Sequence, residues 1–169
     1  RDMWWMQYEG PENIQNFYNC IDDGQLSKEI FKQTGRLRAL EALEALIGYD
    51  HGNINPNVSS YDFTQAQSQF LLGEGLMQPN GDWLANEMAS VADQDKNKYD
   101  FRMMRTPVIS SILETLPDNT VPDETMLRKV ITVVDEELDG LTPDKSEIAT
   151  VSEASYERIK EARQVSWST

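Results

Sequence analysis

Helical spacing of apolar residues is the feature that most constrains the fold of this chain of 169 residues. After Asp123, apolar side chains recur every three to four positions until Gly140, at Leu127, Val130, Ile131, Val134 and Leu138. That period places them along one face of an amphipathic helix. A second run with this spacing, ended by Gly48, consists of Leu37, Leu40, Leu43 and Ile47. The chain is therefore predicted to be mostly helical.

Residues that favour helix starts mark the other helices. Pro11 suits the first turn of a short helix, which is predicted to end near Gly24. Asp62 is followed three residues later by Gln65, the pattern of a capping box. The buried face of that helix is predicted to consist of Phe63, Ala66, Phe70 and Leu71. Further predicted N-caps are Asp82 and Ser152.

Only two segments are predicted to be strands, LMQPN at 76–80 and YDFRMM at 99–104. Two short strands are too few to form a large sheet on their own. The predicted fold class is therefore α/β, mostly helical with a few short strands.

Composition excludes several classes of function. The net charge of −14 is spread along the chain, which argues against binding to nucleic acid or to an anionic membrane surface. Cys20 is the only cysteine, so there is no disulfide framework. His51 is the only histidine, which excludes zinc sites with several histidine ligands, and its Gly/Asn/Pro-rich surroundings favour a plain loop residue.

Two acidic segments resemble the start of a calcium-binding loop but lack residues that the loop requires. In the segment that starts at Asp93, Lys98 stands where glycine is needed, and Met104 stands where glutamate is needed. In the segment that starts at Asp135, the last ligand position is Ser146. No metal ion and no cofactor are therefore predicted. Acidic residues are plentiful, but no pair is singled out for acid–base catalysis.

The tryptophans are the best candidates for ligand contact. Trp83 follows a tight turn that begins at Asn80, and Asp82 precedes it. Aromatic rings beside a few polar groups are typical of pockets that bind sugars, because the ring covers the apolar face of the ligand. Trp4 and Trp5 form a second aromatic group. The alternative for each tryptophan is packing in the core or at an interface.

The segment AQSQFLLGEGLMQPNGDWLANEM (66–88) resembles family 1 extracellular solute-binding proteins, the carbohydrate-capturing subunits of ABC importers. The shared pattern is a helix ending in Phe, a Gly-rich turn, a short strand and Asn-Gly-x-Trp. KYDFRMMRTPVIS (98–110) resembles the strand that follows. Residues 1–115 match best, and 116–169 are a helical extension. Glu74 and Gly75 depart from the usual Lys and Ala.

The resemblance implies a periplasmic-binding-protein type II fold, with two α/β lobes that close on a sugar and residues 1–169 as one lobe, mainly the C-terminal one. It implies that the two predicted strands share a sheet and that Trp83 stacks on sugar, with Asp82 and Asn80 beside it. The expected role is binding without catalysis. Expected partners are a sugar or oligosaccharide and ABC permease subunits, for an extracellular lipoprotein that meets the membrane only through a lipid anchor outside this chain.

Two alternatives stay open. A glycoside hydrolase fragment would need two carboxylates at a fixed separation near Trp83. A helical protein–protein interaction module would use the tryptophans as interface anchors.

Overall fold

The structure is a computed structural model that describes residues 1–89 and 102–166. The chain divides into two compact units. Unit 1 combines Arg1–Leu43 with Arg105–Thr169, and unit 2 is Glu44–Met104. Residues 1–169 as a single lobe stay a prediction.

Unit 1 contains the longest helices of the described chain. Its α-helices are α1 (Asp2–Glu9), α2 (Pro11–Asn19), the first part of α3 (Thr34–Ile47), α6 (Glu124–Leu138) and α7 (Glu153–Gln164). Short 3₁₀ helices cover Lys28–Lys32, Ser110–Thr115 and Ser146–Ile148. The strands β1 (Ile21–Asp22) and β2 (Gln25–Leu26) pair antiparallel.

The main core of unit 1 lies between α6 and α7. The predicted stripe on α6 is confirmed, since Leu127, Val130 and Val134 are all buried. Each such side chain contributes roughly 1.5–3 kcal/mol through burial. The α6 helix begins where Asp123 Oδ1 accepts the Met126 N–H at 2.9 Å. The other buried residues of this core are Ile112, Val121, Val133, Ile148, Tyr156, Ile159 and Ala162.

Charged side chains also link α6 to α7. Asp135 receives two hydrogen bonds from the guanidinium of Arg163, at 2.6 and 2.8 Å, a geometry that fixes both partners. Glu137 accepts a hydrogen bond from the Tyr156 hydroxyl at 2.6 Å and another from Lys160. The helix pair is therefore held in one register by polar as well as apolar contacts.

The start of α7 is capped as predicted. Ser152 Oγ accepts the Ser155 N–H at 3.1 Å. Asp118 accepts the Ser155 hydroxyl at 2.8 Å and the Thr120 N–H at 3.0 Å. Hydrogen bonds from Ser152, Thr120 and Ser155 lower the pKa of the Asp118 carboxyl.

The α2 helix ends earlier than predicted, at Asn19 instead of near Gly24. Cys20 adopts a left-handed conformation, with φ 57°. Asp23 and Gly24 also have positive φ values and form the two-residue turn between β1 and β2, for which an Asp-Gly pair is well suited.

The apolar spacing on α3 does not mark its packed side. Leu37 and Leu40 are 54% and 43% exposed, whereas Ala39 is fully buried. The reason is close packing against α1, because a Cβ at Gly35 would lie 2.7 Å from a ring carbon of Tyr8. Small residues, not leucines, therefore form the contact.

Unit 2 contains α4 (Phe63–Leu71), α5 (Leu84–Glu87), the end of α3 and two single-turn 3₁₀ helices, Tyr49–His51 and Val58–Ser60. The predicted capping box is confirmed: Asp62 Oδ1 accepts the Gln65 N–H at 2.8 Å, and Gln65 Oε1 accepts the Asp62 N–H at 3.1 Å. The predicted apolar face is partly wrong, because Phe63 is 69% exposed and Gln67 is buried.

The strand predicted at 76–80 is absent, and residues 102–104 are not in a strand either. Residues 99–101 lie outside the described part of the chain. Pro79 lacks the N–H that a ladder needs, and Leu76 is almost fully exposed with no neighbouring strand to cover it. The predicted pairing of the two segments is thus not formed by the described residues, whose one sheet is β1–β2.

The fold class is confirmed at the level of a mostly helical chain with few short strands. Among the described residues, no helix is both long and apolar enough to cross a membrane.

Candidate functional site

The turn before α5 in unit 2 carries three predicted site residues. Asn80 Oδ1 accepts the Gly81 N–H at 2.8 Å, which tightens the turn. Trp83 is the residue that precedes α5, and it already has helical backbone angles. The prediction that Asp82 caps α5 is wrong, because the helix begins one residue later and has no side-chain cap.

The indole of Trp83 lies over Gly81. A Cβ at Gly81 would be 2.2 Å from the nearest ring carbon of Trp83. Glycine is required here because a larger residue would clash with the indole. The backbone conformation does not require it, since Gly81 does not have a positive φ angle. Trp83 is 55% exposed, as expected for a residue that a turn places at the end of an element, so its side chain is partly open to solvent.

Contacts between α4 and α5 fix the position of this turn. Leu84 of α5 and Met88, the residue that follows the helix, are buried. Gln67 of α4 donates a hydrogen bond to Glu87 at 2.8 Å, and the Ser68 hydroxyl lies 3.8 Å from the Met88 sulfur. Trp83 therefore lies at the start of a helix that is held in place by its contacts with α4.

Asn80 and Asp82 are exposed beside Trp83 in the sequence. An amide both donates and accepts hydrogen bonds, and a carboxylate accepts them, so the pair suits a ligand rich in hydroxyls. Within residues 1–89 and 102–166, no group of three or more His, Cys, Asp or Glu side chains is arranged to hold a metal ion. The turn therefore presents hydrogen-bonding groups beside an exposed aromatic side chain.

Trp4 and Trp5 belong to unit 1. Trp5 is only 5% exposed, it packs edge-on against Phe17 at 4.7 Å, and its ring N–H donates to Gln33 at 2.8 Å. The Trp5 ring is therefore part of the packed interior of unit 1. Trp4 is half-buried and donates its ring N–H to the Pro107 carbonyl at 3.0 Å. Ligand contact by either residue stays a prediction.

A concave surface lies within unit 1, between α3 and Ser110–Thr115, with a volume of about 460 Å³. We call it the unit 1 groove. Arg38 donates hydrogen bonds to Glu41 and Glu114, each at 3.0 Å. These bonds raise the pKa of Arg38. Ala42, Ile109, Ser110, Ser111, Leu113 and Glu124 complete the lining.

Sequence patterns did not point to the unit 1 groove. Arg38 and Glu114 are separated by 76 positions, and only the fold brings them together. The Tyr8 hydroxyl also donates to Glu114, at 3.0 Å. Burial and this hydrogen bond raise the pKa of the Tyr8 hydroxyl. The one local signal was the spacing of Arg38 and Glu41, which suits an ion pair on a helix.

Comparison with known proteins gives one partial similarity. The chain is 30% identical over 78 residues to a probable sugar-binding periplasmic protein of Mesorhizobium japonicum. The matched region is 46% of this chain but only 16% of that protein, so the chain spans much less than two thirds of its relative. No family model and no solved structure matches the chain.

Proposed function

We propose that this chain is a carbohydrate-binding part of an extracellular solute-binding protein that serves an ABC importer. The observation that carries the proposal is the partial similarity to a probable sugar-binding periplasmic protein. The name of that relative describes binding and not a reaction, which favours a role without catalysis. The whole protein would sit outside the cell on a lipid anchor beyond this chain and pass sugar to permease subunits.

The exposed turn in unit 2 supports the proposal. The open face of Trp83 would cover the C–H face of a sugar ring, and Asn80 and Asp82 would bond its hydroxyls. An aromatic contact of this kind contributes roughly 1–3 kcal/mol. Closure of two lobes would raise the affinity by stabilising the closed state. This chain by itself is therefore expected to bind sugar weakly, on the order of 1 mM.

Ligand-observed NMR with a panel of mono- and disaccharides tests this function on the 169-residue chain. Trp83→Ala should weaken binding by roughly fivefold or more, consistent with loss of about 1 kcal/mol. Phe63→Ala is a matched control, because Phe63 is also an exposed aromatic residue of unit 2. If no sugar binds, or if the two variants bind alike, the proposed function fails.

The same samples separate binding from hydrolysis. A glycoside hydrolase would release reducing ends from an oligosaccharide, whereas a solute-binding protein leaves its ligand unchanged. Micromolar binding by this chain alone would contradict the two-lobe account.

A further inference from the structure

We propose that Asn80 is a site of spontaneous covalent modification. Its side-chain amide is lost by reaction with the backbone nitrogen of Gly81, and the product displaces Gly81 from the indole of Trp83. The reaction involves residues of unit 2 and solvent water, and it needs no enzyme. It does not depend on the proposed function, although it changes the turn to which that function is assigned.

The sequence distinguishes Asn80 from every other asparagine. Asn80 and Gly81 are the one Asn-Gly pair of the chain. Glycine has no side chain, so its backbone nitrogen can approach the preceding amide group without steric hindrance. All other asparagines are followed by larger residues, and Asn57, for example, precedes the β-branched Val58. Asn80 is therefore the asparagine whose neighbouring nitrogen is most accessible.

The structure places the reacting groups in contact. The Gly81 nitrogen lies 2.8 Å from Asn80 Oδ1, the oxygen bonded to the carbon that this nitrogen attacks. Residues 77–81 lie outside the helices and strands, so no ladder of backbone hydrogen bonds opposes the rotation that ring closure needs. Asn80 is exposed, so water reaches the product. The turn is thus open both to ring closure and to hydrolysis.

The reaction has two steps. The Gly81 N–H loses its proton to hydroxide, and the nitrogen attacks Asn80 Cγ. A bond from nitrogen to Cγ forms, the bond from Cγ to the side-chain nitrogen breaks, and ammonia leaves after taking a proton from water. Water then opens the resulting five-membered succinimide at one of its two carbonyl carbons, which gives aspartate or isoaspartate. The net change consumes one water and releases one ammonia, and nothing is oxidised or reduced.

Isoaspartate alters the contact between Gly81 and Trp83. Its backbone passes through the former side chain and therefore contains one extra methylene group before Gly81. The indole lies so close that a Cβ at Gly81 would be 2.2 Å from a ring carbon, so the lengthened backbone and the ring cannot both keep their positions. The new carboxylate also adds a negative charge beside Asp82. Under the proposed function, a turn altered in this way binds sugar less tightly.

Peptide mapping by mass spectrometry tests the modification on the 169-residue chain. During incubation at physiological temperature, the peptide that contains Asn80 should gain about 1 Da, the difference between an amide and a carboxyl group. Asn57 is the internal control, because it is also exposed and also belongs to unit 2. Asn80 should react at least about tenfold faster, a difference of about 1.4 kcal/mol in the barrier. If Asn80 reacts no faster than Asn57, the proposal is wrong.

The pH dependence of the rate tests the mechanism. The reaction at Asn80 should be faster in mildly alkaline than in mildly acidic buffer, because the Gly81 nitrogen must lose its proton before it attacks. A rate that is the same in both buffers would contradict attack by this nitrogen.

Asn80→Gln is the matched variant. Glutamine keeps the amide but needs a larger ring for the same reaction, so this peptide should keep its mass and the tryptophan fluorescence should stay constant. In the wild type, the fluorescence should change as Asn80 converts. Equal modification of the peptide in both chains would place the reaction at another residue and overturn the proposal. Unchanged fluorescence after full conversion of the wild type would refute the displacement of Trp83.

Sugar binding is measured separately, on fresh and on incubated chain. Binding that weakens with conversion in the wild type, but not in the Asn80→Gln chain, would support the effect on the turn. If the fresh chain binds no sugar, the proposed function fails, whereas the mass and fluorescence measurements still decide the modification.

Discussion

Gln7 offers the sharpest test of how unit 1 is held together. Its side chain is fully buried on α1. The amide nitrogen donates to the Pro107 carbonyl at 3.2 Å and to the Ser166 hydroxyl at 3.0 Å, and the amide oxygen accepts the Ile109 N–H at 2.9 Å. We expect Gln7→Met, which keeps the length of the side chain and removes its hydrogen bonds, to destabilise unit 1.

The size of the destabilisation depends on which hydrogen-bonding groups lose their partners in the variant. The Pro107 carbonyl keeps its bond from Trp4, and the Ser166 hydroxyl keeps its bond to Thr106. Only the Ile109 N–H loses its acceptor, at a cost of about 1–3 kcal/mol. The two lost bonds of the amide nitrogen add about 1 kcal/mol each, and burial of the thioether offsets roughly 1 kcal/mol. The expected loss in the free energy of unfolding is about 2–4 kcal/mol.

Urea unfolding followed by circular dichroism measures this loss, and hydrogen exchange reports the Ile109 amide directly. That amide should be protected in the wild-type chain and exchange faster in the variant. Gln164→Met is the control, since it makes the same chemical change at an exposed position of α7. A loss below about 0.5 kcal/mol, similar to a surface substitution, would refute the reasoning.

Two further predictions concern Glu137 and Gly81. Hydrogen bonds from Lys160, then from Tyr156 and Lys145, lower the pKa of Glu137 to about 2 from an ordinary value of 4.5. Its stabilising effect is therefore complete above about pH 4.5 and is lost as the pH falls toward 2. The side chain of Glu137 is 30% exposed, so we expect Glu137→Gln to reduce the acid dependence of stability by only about 1 kcal/mol. Urea unfolding at pH 5 and at pH 2.5 measures this dependence. If the free energy of unfolding differs between the two pH values as much in the variant as in the wild type, Glu137 is not its source. Gly81→Ala should displace the Trp83 ring. The tryptophan fluorescence spectrum and the sugar binding of the chain should therefore change, while the free energy of unfolding changes by less than about 1 kcal/mol. An unaltered fluorescence spectrum would contradict the contact between Gly81 and the ring.

Features set by neighbours in the sequence were predicted well. The Asp62 capping box, the Ser152 cap and the apolar stripe of α6 all depend on residues within one or two helical turns. The exposure of Trp83 was predictable for the same reason, because a turn places it at the end of an element. The Asp82 cap failed by a shift of one residue, which local propensity does not determine.

Features that depend on distant residues were not predicted. The leucines of α3 are exposed because the helix packs through Gly35 and Ala39, which the apolar spacing ignores. The strand at 76–80 depended on a partner that the described residues do not supply. The unit 1 groove joins Arg38 to Glu114 across the fold, so no motif reveals it. Periodic spacing identifies a possible apolar face of an element, but it does not show whether another element packs against that face.

The division of unit 1 into two stretches of chain has a consequence for its synthesis. Helices α1 and α2 leave the ribosome before α6 and α7, which follow only after the whole of residues 44–104. At typical translation rates that interval lasts roughly 3–12 s. The hydrogen bond between Gln7 and Ser166, 159 positions apart, is among the last to become available. During that interval, surfaces of α1 and α2 that will later be buried are open to chaperones and proteases. Unit 2 can fold before unit 1 is complete, and the two stretches of unit 1 then come together across a long loop in the sequence.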